Sequence, residues 1–131
     1  MIFVDTGAWF ACFISHDPRH AQAYDWYLGN VERLVTSDHV LVELFTLLKA
    51  RGQFRIALAV GDDLWSGSLA RVEYATAVDL AGAWNAYKSY HDKRWSLVDC
   101  LSRVIMQRLD ISRAFAFDEH FRQFGTVTVV P

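Results

Sequence analysis

The 131 residues carry 13 Lys and Arg against 15 Asp and Glu, a formal net charge of −2, with 53% hydrophobic and 15% aromatic residues. A chain of this size buries most of its unfolded surface, so a single domain spanning 1–131 is expected, with no metal or disulfide needed to hold it. The composition excludes a disordered chain, no uncharged apolar run is long enough to cross a bilayer, and the charge balance lacks the basic footprint usual for a nucleic-acid binder.

Strand-length apolar runs alternate with helical periodicity along the chain. Ile2-Phe3-Val4 reads as a strand, Ala8 to Ile14 as a helix broken by Asp17-Pro18, and His20 to Leu28 as a second helix ending at Gly29. Arg33 to Thr36 is a short strand, after which Ser37 or Asp38 caps a helix carrying Val40, Leu41, Leu44, Leu47 and Leu48 on one stripe, stopped by Gly52. Phe54 to Trp65 is helical up to Gly67, Leu69 to Glu73 is strand-like, and Thr76 caps a helix to about Tyr90. A polar loop, His91 to Trp95, leads to a helix that opens on Ser96-Leu97-Val98-Asp99 and places Leu97, Leu101, Val104, Ile105 and Leu109 on one face. Ala114 to Phe117 is an apolar run, Glu119 to Phe124 a short helix, and Thr126 to Val130 a β-branched final strand. Strands separated by helices require crossover connections, which implies an α/β fold with a mainly parallel sheet covered on both faces.

Cys12 and Cys100 lie inside apolar helical patterns and are expected as reduced core residues. No basic region precedes the apolar residues at the N-terminus and no small-residue cleavage site follows, so a cytoplasmic location is expected.

In an open parallel sheet, chemistry gathers beyond the carboxyl ends of the strands. Asp5 ends the first strand and Asp118 ends the run Ala114 to Phe117, while Glu43 and Asp99 each lie early in a helix. Taken singly, each has a structural explanation. Asp5 and Asp118 suit loops or caps, and Asp99 suits a helix N-terminus with Arg103 as an i+4 ion-pair partner worth about 0.3 to 0.5 kcal/mol. Glu43 borders the leucine stripe with no cation at i+3 or i+4, so it asks for another partner. Carboxylates brought together repel, and Mg²⁺ or Mn²⁺, which take hard oxygen ligands, remove that penalty. Zinc is not expected, because the five histidines show no paired ligand spacing and neither cysteine has a ligand beside it. The histidines are read as surface residues or caps, with His39, one turn before Glu43, the nearest to the acids.

Phe3-Val4-Asp5-Thr6, Glu43 in "TSDHVLVELFTLL", Asp99 in "SLVDCLSRVIM" and Asp118 in "AFAFDEHF" together resemble a PIN domain, most closely the VapC-type toxins of bacterial toxin-antitoxin pairs. The resemblance implies a three-layer α/β/α sandwich with about five strands ordered 3-2-1-4-5. It implies that Asp5, Glu43, Asp99 and Asp118 surround one or two Mg²⁺ or Mn²⁺ ions, with supporting hydroxyls from Thr6 and Ser96. For Ser96 the cap is the main role expected. The implied activity is endonucleolytic hydrolysis of RNA by a metal-activated water, leaving 5′-phosphate and 3′-hydroxyl ends. Implied partners are a second copy of the chain and a small antitoxin whose tail places an Arg or Lys in the acidic site. Lys93, Arg94 and Trp95 are the candidate RNA contacts, set against an exposed polar loop with Trp95 folded onto the core.

Four other readings compete. Asp5-Thr6-Gly7 is also the motif of aspartic proteases, but their fold is essentially all β, and the helical stripes around Leu44 and Leu101 argue against it. Phosphoryl-transfer enzymes with a nucleophilic strand-end Asp usually carry another Asp two residues later, where this chain has Gly7. A housekeeping RNA-processing nuclease and a silent module of the same fold that only holds a partner are the remaining alternatives.

Overall fold

The computed structural model describes all residues from Met1 to Pro131. Five parallel strands, β1 (Ile2–Val4), β2 (Leu34–Ser37), β3 (Arg71–Glu73), β4 (Arg113–Phe115) and β5 (Thr128–Val130), form one sheet in the order 3-2-1-4-5. Between them run α1 (Thr6–Phe13), α2 (His20–Gly29), α3 (Asp38–Ala50), α4 (Phe54–Trp65), α5 (Ala77–Ser89), α6 (Leu97–Arg108) and the short α7 (Glu119–Arg122). Right-handed crossovers send the chain outward from β1 to β3 along one face and back to β4 and β5 along the other, which gives the three layers.

Every residue of β1 is buried, as expected of a central parallel strand covered on both faces, while the edge strands β3 and β5 are partly exposed and β3 carries Arg71 and Glu73. Trp9 of α1 reaches under the sheet: its indole Nε1 donates to Thr36 Oγ1 at 3.3 Å, and that hydroxyl donates to the Val4 carbonyl at 3.0 Å. One buried side chain thus ties α1, β1 and β2 together and satisfies two polar groups that would otherwise be orphaned.

Element boundaries follow the local chemistry closely. Ser37, Thr76 and Ser96 cap α3, α5 and α6 through their hydroxyls, and Gly52, Gly67 and Gly125 take left-handed φ angles of 71°, 82° and 79° where the chain turns. The departures are at ends. The first helix begins at Thr6 rather than Ala8, β4 covers Arg113–Phe115 rather than Ala114 to Phe117, and β5 begins at Thr128 rather than Thr126. Both last strands are limited by their ladder partners, since β4 pairs with β1 only at Phe3 and Val4 and β5 only with β4.

Candidate active site

The carboxyl edge of the sheet gathers the acids. Asp5 follows β1 as the N-cap of α1, and its backbone N–H donates to the Phe115 carbonyl at 3.0 Å, which carries the β1–β4 ladder one residue past the strand. Asp118 leaves β4 and caps α7, accepting from the His120 N–H. Glu43 projects from the second turn of α3, and Asp99 from the first turn of α6. All four line one cleft of about 610 Å³, with Thr6, Arg19, Ser96 and His120 on its walls.

The negative charge of this cleft is only partly compensated. Asp5 is 6% exposed, and neither it nor Glu43 has a salt-bridge partner. Burial, then the charge of Asp99, and further Glu43 and Asp118, push the Asp5 carboxyl from 3.8 up to about 7, against the opposing Thr6 backbone amide. Asp99 is held by two donors on one oxygen: the Ser96 N–H at 2.9 Å and His120 Nδ1 at 2.7 Å both reach Oδ2. His120 Nδ1 also lies 3.2 Å from Asp118 Oδ1, so the proton is assigned to Nδ1, between two acceptors. Asp99, Asp118 and His120 each offer a ligand atom, all within 4.8 Å of one another.

These residues fit a hard divalent cation. The acids supply oxygen donors from four separate segments, and the Thr6 hydroxyl beside Asp5 is buried without any hydrogen-bond partner. Positive charge placed here offsets both the burial and the repulsion that lift the Asp5 carboxyl, and the orphaned hydroxyl gains a use. A larger concavity of about 830 Å³ lies at the opposite edge, around Asn30, Glu32 and Arg33, but Glu32 is already paired with Arg113 and no cluster of unpaired acids forms there.

Comparison with known proteins agrees with this geometry. A PIN domain family model matches residues 2–127. The chain belongs to the PIN domain family. The 23S rRNA-specific endonuclease VapC20 of Mycobacterium tuberculosis is 37% identical over 131 residues, covering 100% of this chain and 99% of that one. Ribonuclease VapC26 of the same species is 26% identical over 136 residues, covering 99% of this chain and all of that one. The crystal structure of M. tuberculosis VapC20, described as a sarcin-ricin loop cleaving toxin, superposes with a TM-score of 0.93 at 34% identity over the full length of both chains.

Within this PIN domain, two cleft residues escaped the sequence reading. His120, expected as a surface or cap residue, bridges Asp99 and Asp118; its position two residues after a helix-capping Asp is the available signal. His39, by contrast, turns to Asp38 Oδ1 at 3.0 Å. Arg19 lines the cleft with its guanidinium 5.2 Å from the Phe117 ring, and nothing in the turn after Asp17-Pro18 marks it. The helical pair expected between Asp99 and Arg103 does not form. Arg103 lies instead over the rings of Tyr90 and Trp95, at 5.3 and 6.0 Å from their centroids, because the aromatic wall offers it a face and Asp99 is engaged elsewhere. Lys93 and Arg94 are exposed beside the cleft. Trp95 departs from the expectation of a substrate-facing ring: it is 6% exposed, packs edge-on to Phe124, and its indole donates to Gln123 Oε1 at 2.9 Å.

Proposed function

We propose that this chain is a divalent-metal-dependent endoribonuclease acting as the toxin of a toxin-antitoxin pair, with Asp5, Glu43, Asp99 and Asp118 as the metal-holding and catalytic carboxylates. The observation that carries this reading is the convergence of four acids, none salt-bridged to a Lys or Arg, around a carboxyl raised to about 7. Mg²⁺ or Mn²⁺ bound there supplies the positive charge that activates water and stabilises a phosphodiester under attack. The chain's own residues do the positioning. Ser96 N–H and His120 Nδ1 fix one oxygen of Asp99 and leave Oδ1 for the cleft, while the Thr6 hydroxyl, buried beside Asp5 without a partner, is free for a ligand of the site. Arg19, the one cation lining the cleft, is placed to draw a substrate phosphate toward the acids. Lys93 and Arg94 extend that attraction along the exposed loop before α6.

VapC20 is named for 23S rRNA, so a ribosomal RNA stem-loop is the first substrate to try here. The acidic cleft also suits a basic side chain from a small antitoxin, and a homodimer is the assembly proposed. Purified protein is expected to cleave RNA with Mg²⁺ or Mn²⁺, to stop on chelation, and to lose cleavage in Asp5→Asn and Asp99→Asn with an unchanged circular dichroism spectrum. Equal cleavage by wild type and both variants removes the assignment of these acids. Growth arrest on expression, relieved by co-expressing the product of an adjacent small gene, separates a toxin from a housekeeping nuclease.

A further inference from the structure

A second concavity opens next to the acidic cleft. It has a volume of about 360 Å³ and is lined by Tyr87, Tyr90 and Trp95, by His91, Lys93 and Arg94, and by Cys100. No carboxylate lines it, although the whole chain carries a net charge of −2. The two hollows are adjacent in the chain: Trp95 lines one and Ser96 the other, with about 3.8 Å between consecutive Cα atoms.

Its parts are held in place from behind. Trp95 packs at a tilt against Tyr90 with ring centroids 4.7 Å apart, and Arg103 covers both rings from α6. Tyr90 stays 37% exposed and Tyr87 46%, so both tyrosines reach solvent. Tyr87 in turn stacks on Trp84 at 5.5 Å, and Lys88 lies over the Trp84 ring. Two partly exposed tyrosines flanked by cations suit an unpaired nucleobase and its phosphate. Lys93 is shared with the exposed Asp92 at 3.6 Å, which leaves Arg94 as the stronger phosphate contact. A second copy of this chain fits less well. A two-fold interface through the groove would set Lys93 and Arg94 against their own counterparts.

We propose that this groove is a subsite for a single-stranded RNA nucleotide next to the one cut in the acidic cleft, with Tyr90 and Tyr87 stacking the base and Arg94 and Lys93 holding its phosphate. The subsite rests on the ribonuclease reading for its purpose but binds through different residues. The test is fluorescence anisotropy of a labelled single-stranded RNA of about twelve nucleotides, measured in Ca²⁺ across a salt series and paired with the KM for cleavage in Mn²⁺. Tyr90→Ala should weaken binding and raise KM about tenfold, and Tyr90→Phe, which keeps the stacking face, should restore both to within about twofold. Should Tyr90→Ala disturb the packing of Trp95, Tyr87→Ala reports on the same groove from a more exposed position. Joint Lys93→Ala and Arg94→Ala should make the log-log salt slope shallower by about 1.4. Wild-type protein that does not bind the RNA overturns the subsite, as do variants that bind like wild type or that lose only dimerisation. Groove-dependent binding without cleavage would leave the subsite standing and remove the nuclease reading. Cleavage with an unaltered KM in the groove variants would do the reverse.

Discussion

At the amino end of α6, Ser96 and Asp99 form a reciprocal cap, and beside its carboxyl end Thr76 and Asp79 of α5 form the same one, with side-chain bonds of 2.9 to 3.0 Å in each. Both aspartates are buried, at 8% and 1% exposure. Their surroundings differ in sign. Asp79 receives two bonds from Arg108 at 2.9 and 2.8 Å, and Arg108 also reaches Glu73, so the Asp79 carboxyl is held below its usual value chiefly by that guanidinium. Asp99 meets Asp5, Asp118 and His120, and its charge helps push Asp5 upward. One motif therefore serves as a structural joint in one place and lines the acidic cleft in another, and the distinction lies wholly in what the fold brings alongside.

Swapping the same substitution between the two aspartates should separate them most widely. Asp99→Asn is expected to take RNA cleavage to background while its melting temperature stays at or above that of wild type. Asp79→Asn should keep cleavage and lose about 2 kcal/mol, read by urea denaturation, because Arg108 loses its bidentate partner. If both variants lose cleavage equally, the contrast between the two caps fails.

The pH dependence of stability comes next in size and runs in opposite directions. With chelator present, Asp5 binds its proton more tightly folded than unfolded, so stability falls as pH rises from 3.8 to about 7 and then levels. The shift sets a ceiling on the order of 4 kcal/mol for this loss. Melting temperature followed from pH 5 to 7.5 should therefore decline, Asp5→Asn should flatten the decline, and Mn²⁺ should restore the value at pH 7.5. Asp79 contributes in the other window. Its stabilisation is complete above 3.8 and is lost only as pH falls through its lowered folded value.

Removing Arg108 is a smaller change. Arg108→Ala should cost about 2 to 3 kcal/mol, below the figure for a fully buried pair because the Arg108 side chain is 35% exposed, with the KM for RNA unaltered. The smallest effect compares the capping hydroxyls. Thr76→Ala and Ser96→Ala should each cost about 1 kcal/mol, but only Ser96→Ala should also reduce cleavage, by up to about tenfold, as Asp99 loosens. Equal activity in the two variants would mean that the Ser96 hydroxyl serves the helix alone.

Much of this was legible from the residues. The alternation of apolar runs and helical stripes led to the parallel sheet, and the caps Ser37, Thr76 and Ser96 and the stops Gly52 and Gly67 placed most boundaries, because these signals are local. Strand-end position brought out Asp5 and Asp118, and the missing cation near Glu43 brought out that acid. What stayed hidden depends on contacts made far along the chain. Arg103 sits four residues from Asp99, at helical pairing distance, but the rings of Tyr90 and Trp95 claim it. His120 joins Asp99 across 21 positions, and Arg108 joins Glu73 across 35, so neither spacing has a local signature. Trp95 lay beside two cations in a polar loop, and only the packing with Phe124 and Gln123 decides that its ring turns inward.

The tether from Trp9 through Thr36 to Val4 has a consequence for how opening of this molecule can be observed. The Trp9 indole N–H lies beneath the strand that presents Asp5 and is fully buried, so its proton can exchange with solvent only when α1 lifts from the sheet. A single indole resonance in a nuclear magnetic resonance spectrum then acts as a clock for the floor of the cleft, independent of motions at its rim. Ligands that merely fill the cleft should leave that clock nearly unchanged, whereas those that brace Asp5 should slow it.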